Sequence, residues 1–504
     1  MKQLWQDFCN FFIKNRRWII VLLIITLLCF GFELTNFTLS IDEEYSILNG
    51  IDISGWLSQS RYTTGFIKLL MNSTKVVPYW STFLCVNMLF LASIFWTFVV
   101  NQCLVKKNHW SLAIFAALII SSPINVFFVS FSTYNFEVAL GILLTGVAVY
   151  FANQFFLKKT SYKNCLLSLI ILTFCLGIYQ SFIILFSFGC AFCWLLDLTQ
   201  TNKSIKFQEF CVSLLKLTTI VFASLACYFL INKCIQIFVP PSSYLVDNFW
   251  QWPHKTISQF INEMREFFYD IIYNYQFLFG KIWCLTVFSS LPIFFSLFKK
   301  NTKWLTFPLL TFIVISPLVM SVLLGFNMPL RTNQTIAYSI ACIWFLLVIS
   351  IKNKQVQTII TIIALFICLM QTKEINQFFY TDHLRYQRDI ELANQINNRL
   401  EELDYNHHQP IYFVGTHKNN IDFRKFQYES VGYSFFEYDN GNNFRIRAFL
   451  ETRGYKWELI PKDQWPQAEA FATNLPIWPA EESIQATNSG IIIKLSESTY
   501  VPEN

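Results

Sequence analysis

The chain has 504 residues, of which 54% are hydrophobic and 18% aromatic, and only 14% are charged. Soluble globular proteins carry about 25% charge. That deficit, with recurring apolar runs of ~18 or more residues, excludes a soluble fold and marks a polytopic membrane protein. The net charge of +6 does not point to nucleic acid, because the lysines concentrate in short loops between apolar runs.

The first element is "KNRRWIIVLLIITLLCFGF". It has a basic start but no small-residue cleavage site, so it reads as a retained first span and not a signal peptide. Eleven spans are expected in all: roughly 18–34, 79–101, 111–130, 136–157, 164–178, 181–197, 212–237, 277–298, 304–325, 334–351 and 356–372. The stretch 164–197 is too long for one ordinary helix and breaks at Gly177-Ile178-Tyr179-Gln180. A single long tilted span is the alternative.

Loop charge decides between them. Lys14, Arg16 and Arg17 are followed by Lys106 and Lys107, Lys158, Lys159 and Lys163, Lys203 and Lys206, Lys299, Lys300 and Lys303, and Lys352 and Lys354. With two helices in 164–197 all of these fall on the N-terminal, cytoplasmic side. The opposite face then holds loop 35–78, a short turn near Phe131–Asn135, the corner at Tyr179-Gln180, loop 239–276, the turn "GFNMPLRTN" and the tail.

In loop 239–276, Trp250 and Trp252 fit an interfacial aromatic belt, and Ile257, Phe260, Ile261, Met264, Phe267, Phe268 and Ile271 have helical spacing. An amphipathic helix in the headgroup plane is expected there. The tail, 373–504, changes composition. It opens with a polar amphipathic helix carrying Ile390, Ala393, Ile396 and Leu400 on one face. "QPIYFVGTH" and "SGIIIKLSES" read as strands, and "DNGNN" as a turn. The expected organisation is therefore mainly α, with residues 1–372 as a transmembrane domain and 373–504 as a small extracytoplasmic α+β domain.

The 14 cysteines lie in or beside apolar spans and read as small buried hydrophobes. One CxxC, Cys190 and Cys193, sits inside a span and has no second pair. The six histidines are scattered, and His407-His408 reads as a loop pair. There is no P-loop, GxGxxG or GxSxG, so nucleotide-dependent chemistry is not supported.

Chemistry gathers in loop 35–78, "SIDEEYSILNGIDISGWLSQSRYTTGFIKLLM". Asp42, Glu43 and Glu44 come first, with Asp52 after them. Then Trp56, Gln59 and Arg61 precede an apolar helix. A carboxylate beside a bilayer can take a proton from a hydroxyl, and an arginine can hold a lipid phosphate. Solvation of a polar loop explains the same letters. Arg331, stiffened by Pro329, is a second outward cation, with snorkelling as its plainer reading. Glu137 lies at the outer end of a span, where an acid is costly without water or a partner. Tyr179 and Gln180 break an apolar hairpin at the same level.

These segments resemble the Gtr-type membrane glucosyltransferases that modify O-antigen in serotype conversion, of the GT-C class. The motifs are "IDEEYSILNG", "SGWLSQSRYTTGFIKLLM", "STYNFEVALGILLTGVAVYF", "LGIYQSF" and "NMPLRT", in that order. Relatives often show glycine just before the arginine, where this chain has Ser60. The resemblance implies transfer of glucose from undecaprenyl phosphate-glucose to a hydroxyl of lipid-linked O-antigen or another glycan, on the periplasmic face of a bacterial inner membrane. It implies Asp42, or Glu43, as general base. Arg61 and Arg331 would hold the phosphate, and Glu44, Trp56, Gln59, Glu137, Tyr179 and Gln180 would contribute to substrate binding.

Such a reaction inverts the anomeric centre and needs no nucleotide. Like-charge neighbours would raise the pKa of the base. No cofactor is required, although the carboxylates could hold Mg²⁺ or Ca²⁺. The alternatives are a flippase for a lipid-linked sugar, which calls for polar residues within the spans, and an O-antigen polymerase, which would lack the early acid pair.

Overall fold

The structure, a computed structural model, describes residues 2–105, 109–157, 160–201, 207–273, 278–298, 303–403, 405, 409–418 and 427–498. Lys106, Lys107, Lys158, Lys159, Lys203, Lys206, Lys299, Lys300, His407, His408 and the side chain of Ile271 lie outside the described residues.

The helices, in chain order, are α1 (Lys2–Lys14), α2 (Arg16–Thr35), α3 (Glu44–Asn49), α4 (Ile53–Ser58), α5 (Tyr62–Leu70), α6 (Pro78–Gln102), α7 (His109–Ile120), α8 (Val126–Val129) and α9 (Asn135–Phe156). They continue with α10 (Tyr162–Leu176), α11 (Phe182–Thr201), α12 (Phe207–Ile235), α13 (Tyr244–Phe249), α14 (Ile257–Tyr273), α15 (Leu278–Phe298), α16 (Lys303–Leu324), α17 (Thr335–Ser350) and α18 (Lys354–Glu402). The tail adds α19 (Asn443–Thr452), α20 (Trp465–Ala472) and the strands β1 (Ile411–Val414), β2 (Ile484–Thr487) and β3 (Gly490–Lys494).

Among the described residues, 9 helical stretches are long and apolar enough to cross a membrane, with α7 and α8 forming one of them. α10 and α17 are shorter apolar helices. Each expected span thus has a helix, and the protein is a polytopic membrane protein. Helices satisfy their own backbone hydrogen bonds, which lipid cannot do. The stretch 164–197 is two helices. α10 ends at Leu176 and α11 starts at Phe182, with Gly177 between them, where backbone passes close to α5.

The chain packs as two units. The first comprises Met1–Leu34, Asp52–Thr74 and Pro78–Asn376, and the second Thr35–Ile51, Lys75–Val77 and Gln377–Asn504. The loop 35–78 is therefore divided. Its acidic start folds within the second unit, and its Trp56–Arg61 stretch within the first. The helix of the last span does not stop at residue 372. It runs on to Glu402 as part of α18.

In the first unit α14 is helical, as its spacing predicts. Phe260 and Phe267 are buried, while Ile257 and Ile261 are exposed. The Trp252 indole N–H donates to the carbonyl of Val322 at 3.0 Å, which ties the preceding loop to the end of α16.

In the second unit the sheet order is β1-β3-β2. β1 and β3 run parallel, with Ile411 opposite Ile491. β2 and β3 are antiparallel, with Ile484 opposite Ile493. Alternating residues face opposite sides. Ile411, Phe413, Ile491 and Ile493 join a core with Leu39, Ile41, Ala393, Ile396 and Leu400. Tyr412, Val414 and Ile492 face a smaller core with Ala468 and Ala472. Because both faces are covered, these strands read as continuous apolar runs. β2, half polar, gives no such signal.

Candidate functional site

Within the first unit, four separate stretches meet at the helix ends. The link between α4 and α5 carries Arg61, and the turn before α9 carries Phe131 and Tyr134. The α10–α11 corner carries Tyr179, and the turn before α17 carries Arg331. Their side chains form one ladder. The Arg331 guanidinium lies over the Phe131 ring at 5.5 Å, and Phe131 stacks on Tyr134 at 5.5 Å. Tyr134 meets Trp56 at 5.6 Å. Trp56 and Tyr179 then hold Arg61, whose guanidinium carbon is 5.4 Å from one ring and 5.0 Å from the other.

Arg61 is distinctive electrostatically. Among the described residues its guanidinium has no carboxylate and no hydrogen-bond acceptor, and its Nε is buried without a partner. Aromatic faces favour a cation, but they leave its five N–H donors unused. Such a group is prepared for an anionic ligand that takes two parallel hydrogen bonds.

The backbone around Arg61 is fixed from several sides. Ser60 has φ 64°, the left-handed region that glycine enters without cost. Its carbonyl accepts from the Tyr228 hydroxyl at 3.2 Å, and Tyr228 in turn accepts from Gln180 Nε2 at 3.0 Å. Gln180 thus braces the arginine loop. The Gly177 carbonyl accepts from the Thr63 N–H at 3.0 Å. A Cβ on Gly177 would stand 2.3 Å from Thr63 Oγ1 and 2.7 Å from the Tyr62 ring, which is why the corner carries no side chain there. Gln59 ends α4 through its backbone N–H. Among the described residues its side chain makes no hydrogen bond.

Glu137 is not an open acid. Lys68 Nζ donates to its Oε1 at 2.9 Å, and both side chains are buried. Lys68 was not singled out by sequence reading. The signal was present, because an acid at a span end calls for a cation and Lys68 lies one turn and a half beyond Tyr62 on the apolar helix α5. Asp52 caps α4. Its carboxylate accepts from the Ser54 hydroxyl and N–H, and chiefly the hydroxyl bond holds it below the usual carboxylate range.

Within the second unit the three consecutive acids part ways. Asp42 has φ 79°, a conformation aspartate tolerates better than most residues. Its side chain is 57% exposed, with Oδ1 accepting from Arg445 Nη2 at 2.7 Å. Glu43 is 1% exposed, and its Oε2 accepts from the Ser40 N–H at 3.0 Å. Glu44 is buried, with Oε1 accepting from Arg445 Nη1 at 2.6 Å. Asp439 takes the Arg445 Nε–H at 2.6 Å, and the Tyr438 ring lies against the guanidinium at 5.2 Å. All five N–H directions of a guanidinium cannot serve one carboxylate, and here three carboxylates share them.

Burial raises the Glu44 pKa, and Arg445 works against that rise. Like-charge repulsion from Asp42 adds a smaller rise. Burial also opposes the charge on Arg445, but its carboxylates more than offset this and hold its pKa up. The acid segment is not a solvated loop either. Leu39 and Ile41 are core residues, and the Leu39 carbonyl accepts from buried Arg385 at 2.9 Å. Arg385 is itself held by Asp382 and Asp389.

The structure therefore brings Trp56, Arg61, Tyr179, Gln180 and Arg331 into one assembly. It gathers Asp42 and Glu44 on Arg445, and it turns Glu43 and Glu137 inward. Sequence reading missed Arg445, which lies in "NFRIRAF" some four hundred residues from the acids with no local signal. Among the described residues, no group of three or more His, Cys, Asp or Glu is placed to hold a metal ion.

No curated protein and no solved structure matches the chain. The family model described as Glucosyl transferase GtrII matches residues 31–380, more than half of the chain, and covers the whole aromatic–arginine ladder. The chain accordingly belongs to the Glucosyl transferase GtrII family, a GT-C class of membrane glycosyltransferases acting on lipid-linked sugars.

Proposed function

We propose that this protein transfers glucose from undecaprenyl phosphate-glucose to a hydroxyl of lipid-linked O-antigen or a related surface glycan. The reaction runs on the periplasmic face of the bacterial inner membrane, with the N-terminus cytoplasmic and the tail periplasmic. The observation that supports this reading best is Arg61, a guanidinium held between Trp56 and Tyr179 with no protein anion of its own. It suits a lipid phosphate, and Arg331 at the other end of the ladder adds a second cation.

In the transfer, the acceptor oxygen attacks C1 of the glucosyl group and the C1–O bond to phosphate breaks. The phosphate leaves with the electron pair, and its charge is met by Arg61. The acceptor proton passes to a carboxylate. Asp42 is assigned that role, because, although its Oδ1 also accepts from Arg445, it alone of the three acids keeps an exposed carboxylate, while Glu43 and Glu44 are buried. The roles of Arg61 and Asp42 rest on separate observations, one in each unit. In-line attack inverts the anomeric centre.

The test uses full-length protein in detergent with synthetic polyprenyl phosphate-glucose and a lipid-linked O-antigen acceptor. Asp42→Asn is expected to lower kcat by about 10²–10⁴ with donor binding intact, and Arg61→Gln to raise the donor KM. Normal transfer by both variants would overturn the assignment. Passage of intact lipid–sugar across vesicles without bond cleavage would replace it with a flippase.

A further inference from the structure

A polar cavity lies far from the arginine ladder. It has a volume of about 330 Å³ and opens among the last turns of α6, the last turns of α9 and Asp197 of α11. Glu137 stands near the start of α9, and Asn153 lies further along the same helix by roughly 24 Å at ~1.5 Å per residue. The cavity and the ladder are therefore at opposite ends of the bundle.

Five polar side chains line it: Gln102, Tyr150, Asn153, Gln154 and Asp197. Asn153 is the unusual one. It is only 6% exposed, yet both its amide nitrogen and its amide oxygen lack a hydrogen-bond partner among the described residues. Buried amides are ordinarily satisfied. One that presents a donor and an acceptor side by side in a cavity wall is the complement of two neighbouring groups that can each donate or accept. A pair of vicinal hydroxyls has that property.

The remaining lining narrows the ligand. Among the described residues, no lysine, arginine or histidine lines the cavity, and Asp197 does. A phosphate or nucleotide would meet a carboxylate and no described cation. Leu104 and the ring of Tyr150 supply apolar surface, and Tyr150 is backed by Phe98, stacked at 5.8 Å. Apolar and aromatic surface beside a few fixed amides and an acid suits a pyranose, which has C–H faces and a rim of hydroxyls. The volume is at the small end of the ~300–1,000 Å³ typical of ligand pockets.

We propose that this cavity is a binding site for a neutral pyranose, either a free hexose or the uncharged sugar head of a lipid-linked hexose, with the Asn153 amide taking two adjacent hydroxyls. This site is independent of the donor site assigned above.

The experiment measures binding of methyl glucoside, glucose 6-phosphate and polyprenyl phosphate-glucose to the full-length protein in detergent. It compares wild type, Asn153→Leu and Arg61→Gln. Methyl glucoside is expected to bind wild type and Arg61→Gln alike, to bind Asn153→Leu at least tenfold more weakly, and to outcompete glucose 6-phosphate. Should only the lipid-linked sugar bind in an Asn153-dependent way, the ligand is the lipid form and the proposal stands.

Cys103 also lines the cavity, so a readout in the unmutated protein is available. Methyl glucoside should slow alkylation of Cys103, followed by mass spectrometry, while leaving exposed Cys211 unchanged. No protection of Cys103 by any of the three probes overturns the proposal. So does methyl glucoside binding that survives Asn153→Leu but fails in Arg61→Gln, which would place the sugar at the donor site alone.

Discussion

Lys68 Nζ stands 2.9 Å from Glu137 Oε1, with both side chains buried. A buried ion pair adds little over an apolar pair of equal shape, but breaking one side leaves an uncompensated charge. Lys68→Met should therefore destabilise the protein by about 3–5 kcal/mol, while the double variant Lys68→Met/Glu137→Leu should regain most of that loss. Thermal unfolding in detergent across the double-mutant cycle measures it. Equal losses in single and double variants would show that the two groups do not act as a pair.

Arg445 binds Asp42, Glu44 and Asp439 at once, and its removal should show a pH signature. Burial raises the Glu44 pKa, so the fold holds that proton more tightly than the unfolded chain. The stability tied to this group is then complete below the ordinary glutamate value of about 4.3 and is lost as pH rises through the higher folded value. Arg445 pulls the folded value down and so limits the loss. Arg445→Met should thus destabilise strongly at neutral pH, by about 3 kcal/mol or more. The deficit should shrink as pH falls toward 4 and the carboxylates become neutral. Unfolding midpoints of wild type and variant at matched pH values check the trend, and a deficit that grows on acidification contradicts it.

The aromatic clasp should matter for donor affinity more than for turnover. Tyr179→Leu removes one face from the Arg61 guanidinium. A cation–aromatic contact is worth about 0.5–2 kcal/mol, so donor affinity should fall by about tenfold with kcat at saturation little changed. Titration with polyprenyl phosphate-glucose reads both. A loss of kcat alone would mean that Tyr179 touches the reacting atoms instead.

Ser60 offers a test of backbone strain. Its left-handed φ costs about 1–2 kcal/mol for a residue with a Cβ and more for a β-branched one. Ser60→Gly should leave stability unchanged or raise it by up to about 1 kcal/mol, and Ser60→Val should lower it. Melting temperatures of the two variants, with the Tyr228 bond to the Ser60 carbonyl retained in both, decide the matter.

Much of this could be read from the letters, and the reasons are physical. A helix that crosses lipid must bring its own hydrogen bonds and an apolar surface, so α2, α6 and α9 announce themselves locally. The Gly177–Gln180 break was legible because it interrupts that surface. Tyr179 was legible as an exception within apolar surroundings and Arg61 as a cation just before an apolar helix, although their mutual stacking was not. The fate of three adjacent acids was illegible, since neighbours in a turn point in different directions and only distant packing decides which is buried. Glu43 reads as a close second to Asp42, and only the structure shows it buried with its Oε2 on the Ser40 N–H. Arg445 and β2 carry no local mark at all. The continuation of α18 past residue 372 was hidden by its change from apolar to polar surface, which alters the solvent and not the backbone.

The division of the loop after α2 has a consequence for biogenesis. Leu39 and Ile41 belong to a core whose other members come from the tail, and the Leu39 carbonyl waits for Arg385, 346 positions later. At ~5–20 residues per second, ribosomes need roughly 20–70 s to supply that partner. During this interval the DEE segment has no fold to join, while the spans that follow are already being inserted. A chain released early would carry its membrane helices but neither a buried Glu44 nor an Asp42 fixed on Arg445. Residues 35–51 can therefore fold only after the tail is made, and truncated products should be cut by proteases within residues 35–51.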